Sequence, residues 1–118
     1  MFVSDARRVA YYEFVWLPSF ERSAEGLLAE EDRRKLELLL IENPARGATV
    51  AGAGGVRKLR IAVPGRGKRF GARVIYYFRS SKARFYMIAV YGKAAKKDLT
   101  PGDKAAISKL VRDMETGA

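Results

Sequence analysis

Between Val56 and Lys93 the chain reads as three alternating segments joined by two short connections, and no other feature restricts its fold as much. Val56 to Val63 places Leu59, Ile61 and Val63 on one face and Lys58, Arg60 and Ala62 on the other. Arg69 to Phe78 opposes Val74, Tyr76 and Phe78 to Arg73, Ile75 and Tyr77, and Arg84 to Lys93 opposes Tyr86, Ile88 and Val90 to Met87, Ala89, Tyr91 and Lys93. A period of two in segments rich in β-branched and aromatic residues predicts strands. The connections, Pro64-Gly65-Arg66-Gly67-Lys68 and Ser80-Ser81-Lys82, suit antiparallel hairpins. A three-stranded meander follows.

The flanks predict what packs on it. Tyr11 to Leu17 is aromatic and β-branched and stops at Pro18, which predicts a first strand followed by a helix opening at the proline. Glu21 to Leu28 is helical in composition; Glu30 to Ile41 sets Leu36, Leu39 and Leu40 on one face, with three acids at the positive end of the helix dipole. Asn43-Pro44 ends it, because the residue before proline avoids the helical region. Ala51-Gly52-Ala53-Gly54-Gly55 reads as a flexible surface connection. Thr100-Pro101-Gly102-Asp103 predicts a capped helix start, and Ile107, Leu110, Val111 and Met114 form a stripe to bury on the sheet or on a partner chain. The predicted fold class is α+β: strand, two helices, a three-stranded antiparallel meander and a C-terminal helix. A length of 118 residues matches one domain, residues 1–118.

Charge is unevenly distributed along this framework. Met1 to Glu42 holds six Lys/Arg against nine Asp/Glu, Asn43 to Lys97 holds fourteen Lys/Arg and no acid, and Asp98 to Ala118 holds three against four. Like charges that repel one another across the meander call for a polyanion. An anionic membrane would want these cations on an amphipathic helix, whereas they lie among Val, Ile, Tyr and Phe, so nucleic acid is favoured. The chain has no cysteine and no histidine, which removes thiol nucleophiles, thiolate zinc sites and the commonest general base at neutral pH. Chemistry must run on Lys, Arg, Tyr, Asp or Glu. No apolar run approaches the roughly 20 residues of a membrane span, and the first ten residues lack the apolar stretch of a signal peptide, so a cytoplasmic location is expected.

The glycines at 65, 67 and 71 form neither known phosphate fingerprint. Ala62 stands where a Walker loop needs its first glycine and Arg69 where it needs Ser or Thr, and the spacing is one residue too long for a dinucleotide loop. A cationic hairpin suffices, with Arg66, Lys68 and Arg69 free to meet phosphate. The sharper grouping is Lys58, Arg60, Arg73, Tyr91 and Lys93 on one sheet face. Single cations on exposed strands are common and discourage edge pairing, and strand tyrosines usually pack. Several cations on successive strands, with no acid nearby in sequence, instead suggest a ligand face.

The order of elements, carried by Gly54-Gly55-Val56-Arg57-Lys58-Leu59-Arg60, Arg73-Val74-Ile75-Tyr76-Tyr77 and Val90-Tyr91-Gly92-Lys93, resembles the RelE/HigB toxins over residues 11–112, most like the HigB branch. The resemblance implies a toxin paired with an antitoxin, in this branch a helix-turn-helix protein like HigA. It also implies cleavage of messenger RNA in the ribosomal A site without metal or cofactor, by attack of a ribose 2′-OH to leave a 2′,3′-cyclic phosphate. Carried over by position, Lys58 and Arg60 match the paired basic residues of the second strand, Arg73 the arginine opening the third, and Lys93 the lysine ending the fourth. RelE has an arginine just after that lysine and a tyrosine further on; here stand Ala94, Lys96, Lys97 and Thr100. Tyr91, Lys58 or a lysine among Lys93, Lys96 and Lys97 is left to serve as base or acid, and Arg57, Arg66, Lys68, Arg69, Lys96 and Lys97 to hold RNA. Two alternatives are a ParE-like toxin acting on gyrase, against which the basic face argues, and a noncatalytic RNA- or ribosome-binding module.

Overall fold

A computed structural model describes residues 5–62, 71–92 and 98–116. The strands are β1 (Asp5–Val9), β2 (Tyr12–Trp16), β3 (Ala48–Thr49), β4 (Arg57–Ala62), β5 (Gly71–Arg79) and β6 (Arg84–Gly92), and the helices are α1 (Pro18–Ala24), α2 (Glu30–Glu42) and α3 (Pro101–Thr116). They form one sheet in the order β1-β2-β6-β5-β4-β3, which gives the α+β class expected. β4, β5 and β6 pair antiparallel as the meander, while β2 joins β6 in parallel. Among the described residues, no helix is long and apolar enough to cross a membrane.

Each face of the sheet buries its own core. On one side Phe14, Trp16, Leu59, Val74, Tyr76, Phe85 and Met87 meet Phe20 of α1 and Leu36 and Leu40 of α2. On the other, Val15, Leu17, Val56, Ile75, Tyr86 and Ile88 meet Val111 and Met114 of α3. The predicted α3 stripe is thus buried on the sheet. Its predicted start is a reciprocal cap: Thr100 N–H donates to Asp103 Oδ2 (2.9 Å) and Asp103 N–H to Thr100 Oγ1 (3.1 Å).

Several expectations are corrected. The N-terminal hairpin has a further strand, β1, turned back at Ala10 in the left-handed region (φ 54°). Its Arg7 forms a bidentate ion pair with Glu37 of α2, which is 3 % exposed. Glu37 thus joins the buried side of α2, while Leu39, expected there, lies at the rim. α1 begins at Pro18 and ends at Ala24, short of the predicted Leu28, with Gly26 at φ +72° beyond it. The 51–55 connection is a turn, but Ala53 is buried and Gly54 (φ +74°) lies so close under α3 that a Cβ would stand 3.1 Å from Ser108 Cα.

Tyr76 anchors the connection from α2 to β3. Its phenol donates to the Pro44 carbonyl (2.7 Å) and accepts from Gly47 N–H (3.0 Å), and burial pushes its ionisation above the ordinary tyrosine value, so it remains a neutral donor near pH 7. Tyr76→Phe strands both backbone groups. The expected loss is about 1–3 kcal/mol, the cost of unsatisfied buried polar groups, read as a lower urea midpoint at unchanged m-value.

Candidate nucleic-acid interface

Strand register gathers three of the candidate residues into one row: Arg60 on β4 pairs with Arg73 on β5, which pairs with Tyr91 on β6. Directly opposed residues in a sheet share a face and lie within side-chain reach. Lys58 occupies the neighbouring row, opposite Ile75 and, beyond it, Ala89. The sheet therefore brings Lys58, Arg60, Arg73 and Tyr91 onto the face that carries α3. Lys93, Arg66, Lys68, Arg69, Lys96 and Lys97 lie outside the described residues.

Tyr91 reaches this row through a bulge. Across the step from Ile75 to Tyr76 on β5, the partners on β6 pass from Ala89 to Met87, so Ile88 is an extra residue. Before the bulge Tyr86 and Ile88 face α3; after it Ala89 and Tyr91 do, while Met87 and Val90 join the opposite core. This corrects the alternation expected for β6, in which Met87 shared the face of Tyr91 and Val90 that of Ile88. A bulge shifts the phase of a strand by one residue.

The charges on this face are neutralised unequally. At the end next to the Ser80–Lys82 turn, Arg79 pairs with Glu115 of α3 and Arg84 with Glu13 of β2. At the other end Arg60 is exposed, and Arg73, only 8 % exposed, has no hydrogen-bond acceptor for its buried Nε among the described residues. An unsatisfied buried cationic donor is costly, and the cost is relieved by an anion that brings its own oxygens. Arg57 belongs elsewhere: it lies on the opposite face, where Nη1 donates to the Gly47 carbonyl (2.7 Å), so its reach toward RNA is taken up by the backbone.

Lys58 is not left among like charges. Its Nζ lies 3.5 Å from Asp98 Oδ1, and the carboxyl is held below the ordinary carboxylate range, first by Leu99 N–H and then by the Lys58 charge. The pair is fully formed above the ordinary carboxylate range and is lost as pH falls through the depressed value of Asp98. An acid therefore sits beside this candidate base. Sequence reasoning missed Asp98 because it stands just past the acid-free block, forty residues from its partner. Among the described residues, no cluster of carboxylates that could hold a metal ion is found.

Arg60, Arg73, Lys58 and Tyr91 together offer two guanidinium forks, an ammonium and a phenol on one surface. Such a set can clamp phosphate at two points, stabilise added charge on it, and stack on or exchange a proton with a nucleotide. The family model described as "RelE toxin of RelE / RelB toxin-antitoxin system" matches residues 29–117, a span that includes every element from α2 to α3.

Asp98 supplies an anion that neutralises Lys58 on this surface, so removing its charge should favour a polyanion. Asp98→Asn is expected to tighten binding of a single-stranded RNA oligomer. It should also steepen the fall of log affinity with log salt by up to about 0.7, the value of one more phosphate contact. Filter binding over a salt series measures both, and an unchanged slope would remove Lys58 from the contact surface.

Proposed function

The chain belongs to the RelE toxin family, and from that membership we propose that this toxin of a toxin-antitoxin system is an endoribonuclease that cleaves messenger RNA on the ribosome. A cognate antitoxin is its partner by family, and we assign to it a helix-turn-helix protein of the HigA kind. The toxin acts as one domain in the cytoplasm. The observation that carries the nuclease reading is the Arg60–Arg73–Tyr91 row, in which the buried Arg73 Nε has no acceptor among the described residues.

The chemistry is attack of a ribose 2′-OH on the adjacent phosphorus, with departure of the 5′-oxygen and closure of a 2′,3′-cyclic phosphate. The nucleophile belongs to the substrate, so the protein must align it, take its proton, stabilise the phosphorane and protonate the leaving oxygen. Arg73 suits stabilisation because its fork is held within the sheet and requires little reorganisation when charge develops. Arg60, exposed beside it, meets the same or the neighbouring phosphate. Tyr91, Lys58 and the lysines at 93, 96 and 97 share the proton transfers.

Arg73→Ala should lower the single-turnover cleavage rate at saturating ribosomes on the order of 10²-fold or more, by analogy with loss of one oxyanion donor, with ribosome association largely intact. Arg66→Ala and Lys68→Ala should do the reverse, weakening association with the saturated rate nearly unchanged. Circular dichroism checks that each variant is folded. A parental rate for Arg73→Ala at saturation would make the face a binding surface alone.

A further inference from the structure

β2 ends early against β6. Its last backbone bond to β6 runs from Leu17 N–H to the Met87 carbonyl (3.1 Å); Pro18, with no N–H, then begins α1. β6 continues to Gly92, so past Met87 its edge borders α1 in place of a neighbouring strand. This is also where the extra residue Ile88 interrupts the ladder to β5.

Two serines fill the gap. Ser19 Oγ donates to the Ile88 carbonyl (2.6 Å), and Ser23 Oγ accepts from Val90 N–H (3.0 Å) while donating to the Phe20 carbonyl (3.0 Å). The two hydroxyls lie one helical turn apart on α1, about 6 Å along its axis, and meet groups on one edge of β6, the Ile88 carbonyl and the Val90 N–H two residues on. Both hydroxyls sit on the face of α1 that meets β6. Each satisfies a backbone group whose burial without a partner would destabilise the bulge.

The bulge sets which side chain enters the row. Without it, strict alternation would turn Tyr91 into the core of Met87 and Val90 and set an aliphatic side chain beside Arg73. We propose that Ser19 and Ser23 are positioning residues that act through the β6 backbone, holding the bulge in phase so that Tyr91 lies in the Arg60–Arg73 row. Their role in catalysis rests on the nuclease reading above; their role in placing Tyr91 does not.

The test compares the full-length toxin with Ser19→Ala, Ser23→Ala, the double variant, and Ser23→Thr, which keeps a hydroxyl. In the free protein, hydrogen exchange at the Val90 amide should accelerate about tenfold or more in Ser23→Ala relative to the neighbouring β5 amides and recover in Ser23→Thr. NMR contacts between the Tyr91 ring and Arg73 should weaken in the double variant. In single turnover on ribosomes, the double variant should lose about tenfold in rate at saturation with unchanged half-saturation. In the background of Tyr91→Phe the serine changes should cost little more, as expected for groups that act through one another. Unaltered Val90 exchange and Tyr91 contacts overturn the proposal, as does a rate loss that adds in full to that of Tyr91→Phe. If the parent cleaves no RNA, the nuclease reading fails, and the exchange and ring contacts still decide the serine clamp.

Discussion

The pairing of β5 with β6 is the interaction on which the remainder of the molecule depends. Both strands are covered on both faces, by Val74, Tyr76, Phe85 and Met87 under α1 and α2, and by Ile75, Tyr86 and Ile88 under α3. Neither core can form without it, since each draws its central residues from alternate positions of the same two strands. Phe85 lies at the centre of one, stacked on Phe14 at 4.6 Å between ring centres and tilted against Phe78 at the same separation. The bulge at Ile88 is tolerated because hydroxyls from α1 complete the backbone bonds there.

Charge arrangement follows from the same pair. Arg79 and Arg84 stand opposite each other at one end of the hairpin, where Glu115 and Glu13 offset them. Arg60 and Arg73 stand opposite each other further along, and among the described residues neither has an ion-pair partner. A sheet face that is uniformly basic in sequence is therefore polarised in space, ion-paired next to the Ser80–Lys82 turn and, beside the Lys58–Asp98 pair, cationic at Arg60 and Arg73. That contrast, more than net charge, separates the two ends of the face.

Much of this was legible in sequence because it is local. Alternation in 57–62 and 71–79 placed the faces of β4 and β5, and Thr100-Pro101-Gly102-Asp103 placed the start of α3. What escaped is nonlocal or too short to have a period. β1, with adjacent arginines, has no clean alternation and is fixed by Glu37 thirty residues away; β3 has two residues; the parallel match of β2 to β6 depends on neither segment alone. A bulge adds one residue to a run that still reads as strand, so the phase change after Ile88 leaves no mark in composition. The candidate row was nevertheless found, because Arg60 and Arg73 precede that change and the bulge turned Tyr91 toward them.

The parallel contact between β2 and β6 has a consequence in time. β2 is made early, yet the neighbour it needs, with Glu13 beside Arg84 and Trp16 beside Met87, lies 71 residues later. Closing so long a loop is slow, and during synthesis it must wait until the later strand has emerged. A nascent chain therefore carries its first hairpin unpartnered until Arg84–Gly92 has emerged, and the Arg60–Arg73–Tyr91 row cannot assemble before that strand is free to pair.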